Sequence, residues 1–147
     1  MSTDVIVFSV PLSVHYRTSK RGKKVHEFKL NLNEYRNLHY IHLNAAKQQF
    51  NHDIFYTVRD FKSHELAPPY RVTYQLWAPF RVQLDLMNVC SVVDKFVCDA
   101  LVKYGILIDD SYQYITAVDS RFAGIDKANP RVVVTLESVA LSSDILY

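Results

Sequence analysis

Among the residues between positions 85 and 110 of types that hold metals or move charge are Asp85, Asp94, Lys95, Asp99, Asp109 and Asp110. Hard cations such as Mg²⁺ take oxygen ligands, commonly one or two carboxylates completed by water and phosphate. Two carboxylates brought together from separate elements meet that need, and their mutual repulsion without a cation is a reason to bind one. Plainer explanations stand beside this one. Adjacent acids after a helix are commonly a solvated loop. Lys95 lies four residues before Asp99, and Asp99 four before Lys103, so i,i+4 pairing accounts for all three. No Gly-rich phosphate loop and no nucleophile signature accompanies them. The six histidines form no ligand motif, and His39 and His42 are expected on a helix surface.

The elements that must position these acids are read from periodicity. Val92, Val93, Phe96, Val97, Ala100, Leu101 and Tyr104 build one broad apolar helix face. Ser91 with Asp94 is an S-x-x-D start signal, and Gly105 is a natural C-terminal cap. Upstream, Arg81 to Leu86 alternates as a strand, with Arg81, Gln83 and Asp85 on its polar face, so Asp85 is expected at a strand's C-terminal end. Val72, Tyr74 and Leu76 alternate as another strand. Val5 to Val10 reads as a buried strand ended by Pro11, and 14–32 as two extended stretches around the turn 20–23. Asn33 is the expected N-cap of a long helix reaching about Phe61, with Leu38, Ile41, Ala45 and Ala46 as its apolar stripe and a break or bend at Asn51-His52-Asp53. Residues 112–125 and 131–141 read as a closing pair of strands around the turn DKANP. The expected class is mixed α/β, a mixed sheet with two main helices in one domain over residues 1–147.

With 147 residues the chain can bury a substantial core, and three glycines leave little room for a linker. Cys90 and Cys98 are eight apart across the helix, a poor framework for a disulfide or a metal, so a reducing compartment is expected. The start, MSTDVIVFSV, lacks the basic region and long apolar core of a secretory leader, and no run approaches a membrane span. A cytoplasmic location is expected. The net charge is only +2, but residues 15–36 carry seven basic groups against two acids, a local +5, while the remainder is −3. A basic arm on a mildly acidic body suits a polyanionic partner. A solvated hairpin tip explains it equally well.

The stretch from Pro79 through DLMN and DKFVCDALVKYGILIDDSYQ resembles the RusA family of Holliday junction resolvases, small endonucleases of bacteria and phages. Asp85 and Asn88 match the first acid and the asparagine of that family's Asp-x-Asp-Asn. Lys95 matches its helix lysine, Asp99-Ala100-Leu101 the Asp-Ala-Leu that follows, and Asp109-Asp110 the final acidic pair. Pro11, Ser13 and Tyr16 are similar to its PPSxNxxY start, and Tyr35-Arg36 occupies a comparable place. The departures are specific. Met87 stands where the family has its second acid, about three extra residues within 89–91 precede the helix, and the arginine run before the first acid is reduced to Arg81.

The resemblance implies a RusA-like fold and a Mg²⁺-dependent homodimeric nuclease that nicks branched DNA, four-way junctions above all, in recombination and repair in a bacterial or phage-infected cell. It implies Asp85, Lys95 and Asp110 as catalytic residues. Asp85 and Asp110 would be the principal metal ligands, with Asp94 or Asp109 as the third and Lys95 stabilising charge. Arg17, Lys20, Arg21, Lys23, Lys24 and Lys29 would hold phosphates, and Tyr16 and Phe28 are candidates to stack on unpaired bases. Two other readings stay open. One is a catalytically impaired DNA-binding or inhibitor module, with Met87 recording loss of the site. The other is a partner-binding protein with no nucleic-acid role.

Overall fold

Alternation and helical periodicity distribute the chain between a sheet and the helices that cover one of its faces. The computed structural model describes residues 5–63, 66–81 and 85–139. β1 (Val5–Val10) turns Ile6, Phe8 and Val10 inward and leaves Val5, Val7 and Ser9 exposed. β2 (Ser13–Tyr16) and β3 (His26–Lys29) pair antiparallel as a separate two-stranded ribbon, with Val14 opposite Phe28. Three helices follow in the chain: α1 (Leu32–Asn37), α2 (Tyr40–Val58) and, after β4 (Tyr70–Ala78), α3 (Leu86–Lys103). β5 (Ile115–Ile125) and β6 (Arg131–Ser138) complete a four-stranded sheet in the order β1-β6-β4-β5. The class is therefore mixed, as the patterning indicates, with two long helices and the short α1.

The sheet differs from the expected closing hairpin. β4 lies between β5 and β6, parallel to β5 (Val72 beside Val118) and antiparallel to β6 (Tyr74 beside Val134). The parallel pair needs a crossover connection, and α3 supplies it. β6 then pairs antiparallel with β1, Ile6 opposite Leu136. Tyr70, Val72, Tyr74 and Leu76 of β4 meet Val132, Val134 and Leu136 of β6 in one buried cluster that also takes in the apolar faces of α2 and α3.

Helix boundaries moved where a local signal competed with burial. α3 begins at Leu86, five residues before the expected Ser91, because Val89 and Cys90 continue the apolar face of Val93, Phe96, Val97, Ala100 and Leu101. The residues 89–91 are thus helix, not a segment preceding it, and Ser91 donates its hydroxyl to the Met87 carbonyl one turn back instead of capping. The strand expected over 81–86 falls partly on 82–84, which lie outside the described residues. Leu86 is helical, and Asp85 occupies the N-cap with extended backbone but makes no side-chain capping bond. At the other helix start, Asn31 rather than Asn33 is the N-cap of α1, accepting from the Glu34 N–H at 2.9 Å. The expected long helix breaks at Leu38 and His39, not at 51–53, since Leu38 is extended and His39 caps α2, its ring nitrogen accepting from the Ile41 N–H. The buried stripe of α2 is Ala46, Phe50, Ile54 and Val58, while Ile41 is 49% exposed.

Phe96 is the hinge of the helical layer. It stacks on Phe28 of the ribbon (5.5 Å, 20°) and meets Phe50 of α2 edge-on (5.4 Å, 89°). Full burial of such a ring contributes roughly 1.5–3 kcal/mol. Asn88 adds a polar tie, its side-chain oxygen accepting from the Leu32 N–H at 3.1 Å, which fastens the start of α1 to α3.

The C-terminus of α3 launches the acidic loop. Ile106 N–H reaches the Leu101 carbonyl (2.9 Å) and Gly105 N–H the Val102 carbonyl (3.1 Å), a Schellman pair that needs its glycine at positive φ, here 75°. A Cβ on Gly105 would meet nothing within 4 Å, so substitution there costs only backbone strain. Gly105→Ala is expected to destabilise the fold by about 1–2 kcal/mol, and Gly105→Asn by distinctly less, in thermal or urea unfolding. Equal losses for the two would mean that side-chain packing, not handedness, sets the cost.

Candidate functional site

Two clefts flank the middle of α2, one acidic and one basic. The acidic cleft, about 340 Å³, is lined by Tyr35 of α1, Lys47 of α2, Asp94, Lys95, Cys98 and Asp99 of α3, Asp110 of the following loop, and Ile115 and Val118 of β5. Spacing explains the α3 contribution, since positions 94, 95, 98 and 99 are i,i+4 neighbours on one side of the helix. The Schellman turn brings the chain back so that Asp110 joins them.

Asp94 is the most constrained of these groups. The Tyr74 hydroxyl, on the central strand, donates to its Oδ1, and the Cys98 thiol lies 3.3 Å from the same oxygen. Burial raises the Tyr74 phenol well above its ordinary range, and the nearby Cys98 and Asp94 add to this. Burial likewise raises the Cys98 thiol, and the Asp94 carboxylate, with a smaller contribution from Asp110, adds to this. Both groups therefore remain protonated donors at neutral pH. Asp94 and Asp110 line the same cleft, with the Cys98 thiol beside them. Asp94 lies more than two turns into α3, so the expected role as a helix-start charge does not apply.

The two lysines are held differently. Lys47 Nζ is 3.5 Å from Asp99 Oδ2 and 5.9 Å from the Phe96 ring centroid, and Lys95 Nζ is 5.9 Å from the Tyr35 ring centroid. Lys95 is exposed and makes no ion pair among the described residues. The i,i+4 pairing of Lys95 with Asp99 is replaced by the longer-range bridge from Lys47. Three aspartates against two lysines leave the cleft formally at −1.

Asp85 and Asp109 do not line this cleft. Asp85 is exposed at the start of α3. Asp109 accepts from the Asp110 N–H and then from the Ser111 hydroxyl, bonds that hold its carboxyl below the usual range and organise the loop. Met87, at the position of the family's second acid, is 52% exposed. Among the described residues no three His, Cys, Asp or Glu side chains converge as a ready-made metal cage. The carboxylates that line the cleft are Asp94, Asp99 and Asp110; Asp99 is bridged to Lys47, and the other two are oxygen donors of the kind a hard cation takes when water and phosphate complete its shell.

The basic cleft, about 720 Å³, is lined by residues 15–20 and Val25 of the ribbon and by Ala45, Gln48 and Gln49 of α2. Arg17 and Lys20 lie on it. Arg21, Lys23, Lys24 and Lys29 are exposed nearby, and none of the six is in an ion pair among the described residues. Tyr16 and Phe28 are buried, at 3% and 1% exposure, so neither ring is presented for stacking on a base. The Tyr16 hydroxyl instead pairs with His42 Nδ1 at 2.8 Å, and the His26 ring packs between them, 5.3 Å from Tyr16 and 4.8 Å from His42. This cluster replaces the surface position expected for His42, and His39 is a helix cap.

Lys47 and the Tyr16–His26–His42 cluster were not legible as site features. Their partners lie 10 to 52 residues away in sequence, beyond any local spacing rule. A scan against protein-family models matches none, and a search of curated proteins finds no match.

The histidine pair makes a pH prediction. Partial burial, then His42 and Lys24, lower the His26 pKa below 6.5. The unfolded chain therefore takes up the proton first, and stability falls as pH drops from the unfolded value toward the folded one, with no loss above it. The melting temperature is expected to decline between about pH 7 and pH 5, and His26→Phe, which keeps the ring stack, should flatten that slope. An unaltered slope would place the titration elsewhere.

Proposed function

We propose that this protein is a Mg²⁺-dependent, structure-selective endonuclease that nicks branched DNA, acting as a homodimer in the cytoplasm of a bacterial or phage-infected cell. The observation that carries this reading is the acidic cleft, where Asp94, Lys95, Asp99 and Asp110 meet within a helix diameter of a basic arm. One turn of α2 contributes Gln48 and Gln49 to the basic side and Lys47 to the acidic side, so the two are separated by about 10 Å. The similarity to RusA resolvases over residues 79–113 supports the same reading.

The division of labour follows from charge. A cleft at −1 repels phosphate unless a cation is present. Asp94 and Asp110 would hold Mg²⁺, which supplies Lewis-acid polarisation of a phosphoryl oxygen and a lowered pKa for bound water. Tyr74 and Cys98 orient Asp94 by donating to one of its oxygens. Lys95, exposed and without an acidic partner, is placed to neutralise charge developing on the phosphoryl group. Lys47 holds Asp99 at the rim. Arg17, Lys20, Arg21, Lys23, Lys24 and Lys29 bind the phosphates of an arm of the junction.

Met87 favours a second reading, a DNA-binding or inhibitor module without cleavage. Its exposed thioether offers no hard ligand where the family has an acid. Incubation with a labelled four-way junction, with Mg²⁺ or with EDTA, separates the two. Paired Mg²⁺-dependent nicks support the enzyme, and retention without nicks supports the module.

Asp94→Asn and Asp110→Asn are each expected to lower nicking by about 100-fold or more while junction binding persists, and Tyr74→Phe by about tenfold as an orienting group. Full activity in either aspartate variant would remove the cleft from the chemistry. Replacing Lys20, Arg21, Lys23 and Lys24 with Ala should leave the fold intact and flatten the log–log salt dependence of binding by roughly 0.9 per lost phosphate contact. A slope that does not change would make the arm a solvated loop.

A further inference from the structure

β5 is the outermost strand of the sheet, and among the described residues nothing pairs with its free side. At eleven residues it is long for an edge, and a row of unpaired N–H and C=O groups is a template for another strand. Folds usually blunt such edges with lysine, proline or a very short strand, and β5 has none of these. Register shifts against β4 fall at its two ends, leaving Ala117 to Phe122 unbroken. None of its side chains is fully buried, and Val118, Phe122 and Ile125 are each about half exposed.

Its charges are arranged in a way that identifies the occupant. Asp119 and Arg121 project on the face away from the helices, beside Thr73 and Gln75 of β4. Asp119 has only a share of Arg71, at 4.0 Å, because Glu137 approaches the same guanidinium at 3.7 Å. Arg121 makes no ion pair among the described residues. Read outward from Ser120, the strand matches itself reversed: Asp119 with Arg121, Val118 with Phe122, Ala117 with Ala123, Ile115 with Ile125.

We propose that β5 is the self-pairing edge of a two-fold dimer, with two copies antiparallel about an axis at Ser120. Residues directly opposite in such a pair share a face with Cβ atoms about 4.5–5.5 Å apart. Each Asp119 then faces an Arg121 of the other copy, supplying the under-served carboxylate and the unpaired guanidinium together. Each Val118 covers a Phe122. An isologous contact of this kind closes on itself and uses up the edge, which a foreign strand lacking the reversed charge order does not match. The pairing deepens the dimeric nuclease reading and rests on it for its meaning. Ile115 and Val118 line the acidic cleft, so both clefts lie on the same face of one continuous sheet, one on each side of the axis, as paired nicks require.

Sedimentation equilibrium of the full chain in a concentration series, without DNA or Mg²⁺, tests it. The native chain is expected to dimerise. Arg121→Asp, which sets two acids against each other twice, should raise the dimer dissociation constant by about tenfold or more. The exchange variant carrying Asp119→Arg and Arg121→Asp together should recover most of the affinity, because the reversed order is again complementary. Circular dichroism checks that each variant folds. Amide hydrogen exchange of the native chain gives a reading free of mutation, with protection within 117–122 expected to rise with protein concentration. A monomer throughout, a dimer indifferent to Arg121→Asp, an exchange variant as weak as the single one, or amide protection independent of concentration would overturn the pairing. A dimer with this behaviour that fails to nick junctions would overturn the nuclease reading alone.

Discussion

The bond from Tyr74 to Asp94 sets the geometry on which the rest depends. A phenol at the centre of a sheet, fully shielded from water, must find an acceptor or lose several kcal/mol. α3 packs over it, and the acceptor it finds there is a carboxylate. Meeting that demand fixes how α3 is rotated on the sheet. With Asp94 turned toward Tyr74, Phe96 and Ala100 fall into the core while Lys95 and Asp99 look outward over α1 and α2. The carboxylate is thereby half-solvated, with one oxygen committed to the protein. Asp94 thus serves core and cleft together, and its removal is expected to register in both.

Two fields of opposite sign then sit on either side of α2. The ribbon between β2 and β3 carries its cations without ion-pair partners among the described residues, so their charge is projected into solvent and falls off over about 10 Å at moderate salt. The acidic cleft keeps its own charge partly neutralised by Lys47 and Lys95. A polyanion is drawn to one and held off by the other, and on the proposed reading a bound cation would relieve that repulsion at the acidic side.

Local pattern made some of this visible and hid the rest. The alternation of Tyr70, Val72, Tyr74 and Leu76, the broad apolar face of α3 and the cap at Gly105 follow from near-neighbour rules, and the structure has them. Ser91 and Asp94 resembled a helix start because a hydroxyl three residues before an acid is the usual signature. Here the hydroxyl bonds one turn back and the acid answers to a strand twenty residues away. The expected stripe held at Ala46, with Leu38 and Ala45 packed against the core, but it included the exposed Ile41 and stopped short of Phe50, Ile54 and Val58, whose burial is set by contacts with Phe96 and the ribbon that no window contains. The interposition of β4 between β5 and β6 is likewise a matter of partner choice between distant segments. Of the site, the α3 residues were legible by spacing, and their meeting with Asp110 and Lys47 was a property of the fold.

The strand order has a consequence for how the protein comes into being. Among the described residues β1, the earliest strand in the sequence, has one neighbour in the main sheet, and that neighbour is β6, whose residues 131–138 come last of the described elements. At about 5–20 residues per second, the nascent chain waits several seconds with its first strand unpaired. During that interval the helices, the β2–β3 ribbon and the β4–α3–β5 crossover can form from closer contacts, but the sheet cannot close. Closing the loop between Val10 and Val132 costs entropy before any pairing compensates it, so completion of the sheet is set to be a slow step of folding. The exposed apolar flank of β1 is therefore most vulnerable to aggregation on the ribosome, before β6 arrives to cover it.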